Sequence, residues 1–457
     1  MRNVVLLFVS FIVVIIVYII SSSASSMMMS IVTLLFGWLL TLVFGKSGNE
    51  RTNMSTVMLV SFIAITIAAI FQYLDIVTEY SNFAFEGNDN YHFYNISMEG
   101  VGALSISKIF NECVIQNIHY ENGGYCFYIK LLAYLAEHYA DGNSIMLQQL
   151  GTVLPSVLSS VVLYGILSKY CPEGKTIKYT CSFMLLSPLI LHSIGIHRDA
   201  MISLFYFILI YLWLCKDFSL KVGILQVLFA VLLYYFREQH GLFALSFVVV
   251  SSIASRKRSR FFSILAVVAL IAIVGASYLT DLVSSNFAET NEFYEGLRSE
   301  RLSGLSSGIG RFIYMLPFPL RELAQILFLQ LRFPPWLALS EASNFFAVPL
   351  GILAFAIAFY WFYVFSFTLF SLLKKGYKCL PTKLIYGLLL LFAFLFLSSA
   401  NLDSRRVVCM YPLLFAPFVY YKEYVLSMSN VKIFGRRYAI IYAFICLLYL
   451  GAKITIG

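Results

Sequence analysis

The composition of this 457-residue chain excludes a water-soluble fold. Hydrophobic residues make up 60% of it and charged residues only 12%, whereas a soluble domain carries about 25% charged residues. Its 32 lysines and arginines outnumber its 23 aspartates and glutamates, which gives a formal net charge of +9. The apolar stretches recur at the length of a membrane-crossing helix, so the sequence predicts an integral membrane protein.

These apolar stretches are continuous over roughly 17–25 residues and do not alternate, which favours helices over a closed barrel. We expect an all-α, polytopic integral membrane protein with about 11–14 transmembrane helices. Two long outer loops with interfacial helices, 76–144 and 281–345, interrupt the single membrane domain, 1–457. The expected spans lie near 3–20, 28–45, 54–75, 145–168, 178–196, 199–215, 222–236, 241–254, 261–280, 346–372, 383–399, 407–421 and 438–455.

The distribution of basic residues predicts the orientation of these spans. With the N-terminus in the cytoplasm, most lysines and arginines fall in short cytoplasmic loops, including the runs at 255–260 and 372–378. Basic residues in short loops mark the cytoplasmic side, so the positive charge reflects membrane topology and gives no support for nucleic-acid binding. The helix that follows Gly124 is expected to be interfacial or re-entrant, because counting it as a span would place 255–260 outside.

The basic residues left on the outer side are mostly arginines, and several stand at the ends of expected spans. Arg198 and Asp199 open one span, Arg237 closes another, and Arg405 with Arg406 opens a third. Arginine suits bidentate contact with phosphate or carboxylate, and charges at membrane depth usually face a cavity or a partner. Each could instead pair with an acidic neighbour or reach the lipid headgroups. As a set, they favour an anion site at the outer face.

The first outer loop is a long polar segment of a kind that is uncommon as a mere connection. It carries Asp89 in the cluster Asn-Asp-Asn-Tyr at 88–91, and it leads into a Gly-Gly-Tyr turn at 123–125. We expect it to be a catalytic loop to which the later spans bring arginines. Cys113 and Cys126 lie in this loop, and the sequence leaves open whether they form a disulfide.

Two further outer segments carry polar residues of interest. Pro188 is expected to break or kink the span 178–196. Asp199 follows, either as a second outer acid near Asp89 or as the N-cap of the next helix. In the second outer loop, Arg298 and Arg301 belong to a stretch rich in arginine, glycine and serine. That stretch suits a mobile loop that follows a large polar substrate, or an ordinary flexible loop.

This layout resembles the GT-C superfamily of membrane glycosyltransferases. The residues that carry the resemblance are Asp89 with its aromatic neighbours Tyr91 and Tyr94, the Gly-Gly-Tyr turn at 123–125, and Ser187-Pro188 followed by Asp199. Within that superfamily the chain is similar to Wzy-type polymerases of bacterial O-antigen and capsule, which have many spans, two long outer loops and several outer arginines. It departs from the superfamily pattern at Asn90, where an acidic residue often follows the first.

The resemblance implies a donor glycan carried on a polyprenyl phosphate or diphosphate. The arginines that would hold its anion are Arg237, Arg405 and Arg406, with Arg198, Arg298 and Arg301 behind them. Guanidinium groups would neutralise the charge that grows on the leaving phosphate. Asp89 would accept the proton of the acceptor hydroxyl as general base, with Asp199 as a second catalytic carboxylate. Tyr91, Tyr94 and His92 would pack against sugar faces.

On this hypothesis the enzyme needs no cofactor and no metal, although Asp89 and Asp199 together offer ligands for a divalent ion. It would polymerise O-antigen, capsular or exopolysaccharide repeat units at the periplasmic face of the bacterial inner membrane, with its N-terminus in the cytoplasm. Its expected partners are the undecaprenyl-linked glycan, membrane lipids and other polysaccharide-assembly membrane proteins. The alternatives are a GT-C enzyme that transfers a single sugar from a polyprenyl-phosphate donor, and a lipid-linked-oligosaccharide flippase or transporter. Transporters often have internal repeats and mid-membrane charges, whereas the charges here cluster at the outer ends of spans.

Overall fold

The computed structural model describes residues 2–79, 89–103, 105–116, 122–254, 313, 315–317, 320–331, 335–340, 342, 344–398 and 404–456. Every regular element in these ranges is a helix. In chain order the α-helices are α1 (Arg2–Ser21), α2 (Ala24–Phe44), α3 (Gly48–Glu79), α4 (Asp89–Val101), α5 (Ile106–Phe110), α6 (Gly123–Tyr139), α7 (Ile145–Leu167), α8 (Thr176–Leu186), α9 (Asp199–Cys215), α10 (Leu220–Phe236), α11 (Glu238–Ala254), α12 (Leu320–Leu331), α13 (Leu337–Ser340), α14 (Ala347–Lys375), α15 (Thr382–Ser398), α16 (Pro412–Tyr420) and α17 (Met428–Ile456). The expected span 261–280 and most of the loop 281–345 lie outside the described residues.

Six of the described helices are long and apolar enough to cross a membrane, namely α1, α2, α3, α7, α14 and α17. Three shorter apolar helices, α9, α10 and α15, have 17 residues each. Helices satisfy their own backbone hydrogen bonds, which lipid cannot do for them. The chain is therefore a helical membrane protein, as its composition predicts.

The first three helices run antiparallel and define two ends of the bundle. Arg2 donates to the Thr56 hydroxyl over 2.9 Å, and Asn3 donates to the carbonyl of Thr52 over 3.0 Å. The N-terminus therefore lies beside the beginning of α3, at what we call the Arg2 end. The turn between α1 and α2 lies at the opposite end, together with the last residues of α3. We call this the Asp89 end.

Helix α6 begins and ends at the Asp89 end, so it does not connect the two ends of the bundle. After its last turn, the carboxylate of Asp141 accepts hydrogen bonds from the backbone N–H groups of Ala24 at 2.5 Å and Ser25 at 2.7 Å. These groups open α2, where a negative charge is favourable. At the other end of α6, a Cβ on Gly124 would lie 2.9 Å from the ring of Phe236, at the end of α10.

Helix α7 is the centre of the bundle, since nearly all of its side chains are buried. It packs against α2, α3, α8 and α9. Small residues along it allow this close approach, and the Ser156 hydroxyl lies 2.6 Å from that of Ser193. Ser193 belongs to the segment 187–198, which is not α-helical. Helix α8 ends at Leu186 because Pro188 disfavours the helical conformation of the residue before it, which is the break expected from the sequence.

Helix α4 packs tightly on α6. It buries Asn90, Phe93, Ser97 and Gly100 along one face, and a Cβ on Gly100 would lie 2.4 Å from the carbonyl oxygen of Lys130. Lys130 is itself buried, and its ammonium group lies 2.6 Å from the Glu99 carboxylate. The crossing of these two helices sets the position of Asp89 at the beginning of α4.

We expect the variant Gly100→Ala to lower the unfolding temperature, because its new methyl group would force α4 away from α6. Overpacking of this kind costs about 1–3 kcal/mol. Thermal unfolding of the purified protein in detergent measures the effect. The matched control is Gly102→Ala, since a Cβ there meets nothing within 4 Å. Equal unfolding temperatures for the two variants would contradict the close packing.

Candidate functional site

The candidate site is built around an ion pair between Asp89 and Arg405. Asp89 is the first residue of α4, and Arg405 lies in the 3₁₀ turn Ser404–Arg406. The Nη1 atom of Arg405 donates to Oδ2 of Asp89 across a separation of 316 residues. The side chain of Asp89 is 43% exposed and that of Arg405 is 29% exposed. The structure therefore joins the carboxylate and one of the arginines that the sequence singles out, and it leaves both within reach of a ligand.

The charges around Asp89 decide its protonation. Partial burial by itself raises the pKa of this carboxyl, but the charge and the hydrogen bond of Arg405 lower it. The nearby charges of His197 and Arg198 lower it further, so the pKa of Asp89 lies below its ordinary value. Asp89 is thus a carboxylate at neutral pH, held by a guanidinium group.

Asn90 fixes the beginning of α4 to the rest of the site. Its Oδ1 atom accepts a hydrogen bond from the backbone N–H of Ile196 at 2.6 Å. A Cβ at Gly195 would lie 2.7 Å from the same oxygen, so glycine there permits the contact. In the sequence comparison with the GT-C pattern, Asn90 stands at a position where a second acidic residue is often found. In the structure it is a buried side chain that positions the segment leading to Arg198.

Three further arginines lie close enough to a buried histidine for their charges to act on it. Arg237 follows the last residue of α10 and is 6% exposed, while His240, in the first turn of α11, is 5% exposed. The positive charges of Arg237, Arg198 and Arg406 all act on the imidazole of His240. His240 is not among the residues that the sequence predicts for the site. The only signal for it is the polar run 237–240 between two apolar helices.

Asp199 lies deeper than Asp89. It is the first residue of α9 and is only 5% exposed. Arg198 occupies the N-cap position of that helix and makes no capping hydrogen bond with its side chain. Asp199 is therefore not the N-cap. It is an acid in the first turn, where a negative charge interacts favourably with the positive end of the helix dipole. Its charge acts on Tyr125 of α6 and on Cys409.

In the described part of the chain, no group of three or more histidines, cysteines, aspartates and glutamates could hold a metal ion. Asp89 and Asp199 are thus not joined by a further ligand of these types within that part.

The aromatic residues expected to pack against sugars do not share one surface. Tyr91 and His92 lie on the exposed face of α4. Tyr94 is partly buried and packs against the core. Arg298 and Arg301 lie outside the described residues.

Cys113 and Cys126 are free, buried thiols. Burial raises the pKa of Cys113 to about 11 and that of Cys126 to about 12. A thiol of this kind stays protonated and unreactive at neutral pH. The disulfide that the sequence left open is not formed.

No family model, curated protein or solved structure matches this chain. The geometry of the site therefore carries the functional argument. It brings together the carboxylate of Asp89 and four of the six arginines expected there, Arg198, Arg237, Arg405 and Arg406.

The ion pair predicts a pH dependence of stability. Because the pKa of Asp89 is lowered in the folded protein, its stabilising contribution is full above the unfolded pKa of about 3.9. It is lost as the pH falls through the lower folded value. We expect Arg405→Gln to unfold at a lower temperature than the wild type between pH 8 and pH 5, and the gap to narrow below about pH 4. Thermal unfolding over this pH range measures it, with Arg436→Gln, an exposed arginine of α17, as control. A gap that stays constant down to pH 3 would contradict the pair.

Proposed function

We propose that this protein is a membrane-embedded glycosyltransferase that uses a glycan linked to polyprenyl phosphate or diphosphate. The reaction that we propose is the polymerisation of O-antigen, capsular or exopolysaccharide repeat units. The observation that carries the proposal is the contact of Asp89 with Arg405 beside three more arginines at helix ends. A carboxylate can accept a proton from a sugar hydroxyl, and the arginines suit the phosphate of the leaving group.

The two ends of the bundle differ in a way that supports an outer location for the site. Lysines of the short loops gather at the Arg2 end, where Lys169 donates to the carbonyl of Leu214 and Lys383 to that of Lys216, both at 2.7 Å. Short loops rich in basic residues are cytoplasmic. On this basis the Asp89 end faces the periplasm of a bacterial cell, and α4, α5 and α6 are interfacial helices of the outer loop 76–144. For the whole chain we expect about 11–14 spans.

The ion pair suggests how the donor prepares the base. A carboxylate with a lowered pKa is a weak base, and Arg405 is the largest cause of the lowering. A phosphate that binds Arg405 would compete with Asp89 for the same guanidinium group. Asp89 would then lose its counter-charge, its pKa would rise, and it would accept the proton of the acceptor hydroxyl more readily.

The remaining arginines would act on the leaving group. As the bond between the sugar and the phosphate breaks, negative charge grows on the phosphate oxygens. Arg198, Arg237 and Arg406, which stand at or near helix ends, would stabilise that charge. The acceptor hydroxyl would attack the anomeric carbon from the opposite side as its proton passes to Asp89, so that the reaction inverts the configuration at that carbon.

We expect Asp89→Asn to lower glycan transfer at least about 100-fold, because the amide cannot take up a proton. The measurement is polymer formation from a purified polyprenyl-diphosphate-linked repeat unit, with the variant reconstituted in liposomes. The control is Asp217→Asn, an exposed carboxylate in the loop between α9 and α10 at the Arg2 end.

Transfer by Asp89→Asn at the wild-type rate would overturn the role of the base. If the wild-type protein adds one sugar and the glycan then grows no further, the single-sugar transferase is favoured. A deletion strain distinguishes a polymerase from a transporter. Loss of a polymerase leaves single repeats on the lipid core, whereas loss of a flippase traps repeats inside the cell.

Sidedness is tested by labelling. Cys379 is an exposed thiol in the turn between α14 and α15, at the Arg2 end. Gly102 lies in the open at the end of α4. We expect a membrane-impermeant maleimide to label Gly102→Cys in spheroplasts, and to label Cys379 only after permeabilisation. Labelling of Cys379 in intact spheroplasts would place the site in the cytoplasm and overturn the proposal.

A further inference from the structure

Several helix N-termini meet at the candidate site. Helix α9 begins at Asp199 and α11 begins at Glu238, and α9 packs against both α11 and the 3₁₀ turn Val408–Met410 that leads into α16. Arg198 and Arg237 stand just before the first two of these helices, and Arg406 ends the turn Ser404–Arg406, which precedes Val408–Met410. The positive end of a helix dipole favours an anion. First-turn acids at Asp199 and Glu238 offset part of this field, so the dipoles alone do not make a site.

The second observation is the side chain of His240. Its carbonyl accepts a hydrogen bond from the Tyr206 hydroxyl at 3.0 Å, and its ring packs on the rings of Tyr206 and Phe394. The ring is thereby held in place. Its Nδ1 atom is buried and has no hydrogen-bond partner among the residues that the structure describes. A buried polar atom without a partner is costly, and this one belongs to a ring on which three guanidinium charges act.

We propose that His240 is a ligand of the donor phosphate, and that its Nδ1–H donates to a phosphate oxygen held by Arg198, Arg237 and Arg406. The imidazole stays neutral because it is buried away from water and because the three neighbouring positive charges would repel a fourth. A neutral imidazole still keeps one N–H donor. It can therefore add a hydrogen bond to the anion without adding to the repulsion among the arginines.

This assignment rests on the proposed function for the identity of the anion, and it divides the site into two parts. Arg405 and Asp89 form the part at which the acceptor is deprotonated. His240 and the three arginines around it form a fixed anion subsite. Arg237 and His240 are almost fully buried, whereas Asp89 and Arg405 are partly exposed. The phosphate would therefore bind deeper in the protein than the point at which the sugar reacts.

The test is direct binding, with no transfer reaction involved. The full-length protein in phosphatidylcholine nanodiscs is titrated with farnesyl diphosphate, a short polyprenyl probe, by calorimetry. We expect His240→Phe to bind the probe at least about tenfold more weakly, the loss typical of a hydrogen bond to a charged group. His240→Asn keeps a donor and should stay within about threefold of the wild type. His138→Phe, an exposed histidine at the end of α6, is the matched control and should bind like the wild type.

The outcomes separate the subsite from the enzyme. Wild-type affinity in His240→Phe overturns the assignment, and so does wild-type affinity in Arg237→Gln. Displacement of the probe by an equal concentration of phosphatidylglycerol would assign the subsite to lipid headgroups. It would overturn the assignment of the donor phosphate as its ligand. Loss of binding in His240→Phe supports the subsite even if the wild type transfers no glycan, in which case only the proposed function falls.

A second measurement uses the wild type, in case His240→Phe does not fold. With ¹⁵N-labelled histidine, the probe should shift one imidazole resonance that is absent from His240→Asn. A titration that moves no such resonance overturns the proposal.

Discussion

A guanidinium charge among membrane helices needs compensation, and that need organises the Asp89 end of this protein. Arg405 pairs with the carboxylate of Asp89, which is 316 residues away in the sequence. The pair therefore ties the beginning of α4 to the turn that precedes α16. Because charges at membrane depth are costly and usually face a partner or a cavity, the helix ends that carry the arginines meet at one place. The site is a consequence of where those charges are tolerated.

The layer formed by α4 and α6 holds the carboxylate at that place. Gly100 allows the two helices to cross closely, and Asn90 binds the backbone of Ile196. Asn143 adds a further tie, since it donates to the Ser97 hydroxyl at 2.9 Å and accepts from Gln148 of α7 at 2.8 Å. Asp89 is thus positioned by contacts on both sides of its helix. A carboxylate held in this way keeps a fixed position, which the proposed role of Asp89 as a base requires.

Lysines are prominent at one end of the bundle and arginines at the other, although Arg2 lies at the first end and Lys130 at the second. At the Arg2 end, lysines reach backbone carbonyls and the carboxylate of Glu423, which lies 2.5 Å from Lys175. At the Asp89 end, arginines meet acids and a histidine. A lysine is a flexible, strongly hydrated point charge, whereas the planar guanidinium group fits phosphate and carboxylate in a fixed geometry. The arginines at the Asp89 end therefore have the geometry that the proposed phosphate site requires.

Local chemistry made part of this protein predictable from its sequence. Continuous apolar stretches indicate membrane helices, and Pro188 breaks its helix through its own backbone geometry. The arginines at helix ends are visible for the same reason, since each stands beside an apolar stretch. Only the tertiary structure decided that Arg405 pairs with Asp89, that Asn90 binds a distant backbone group, and that His240 lies among three arginines. These contacts join residues far apart in the chain, and they depend on which helix faces pack together, which hydropathy does not encode.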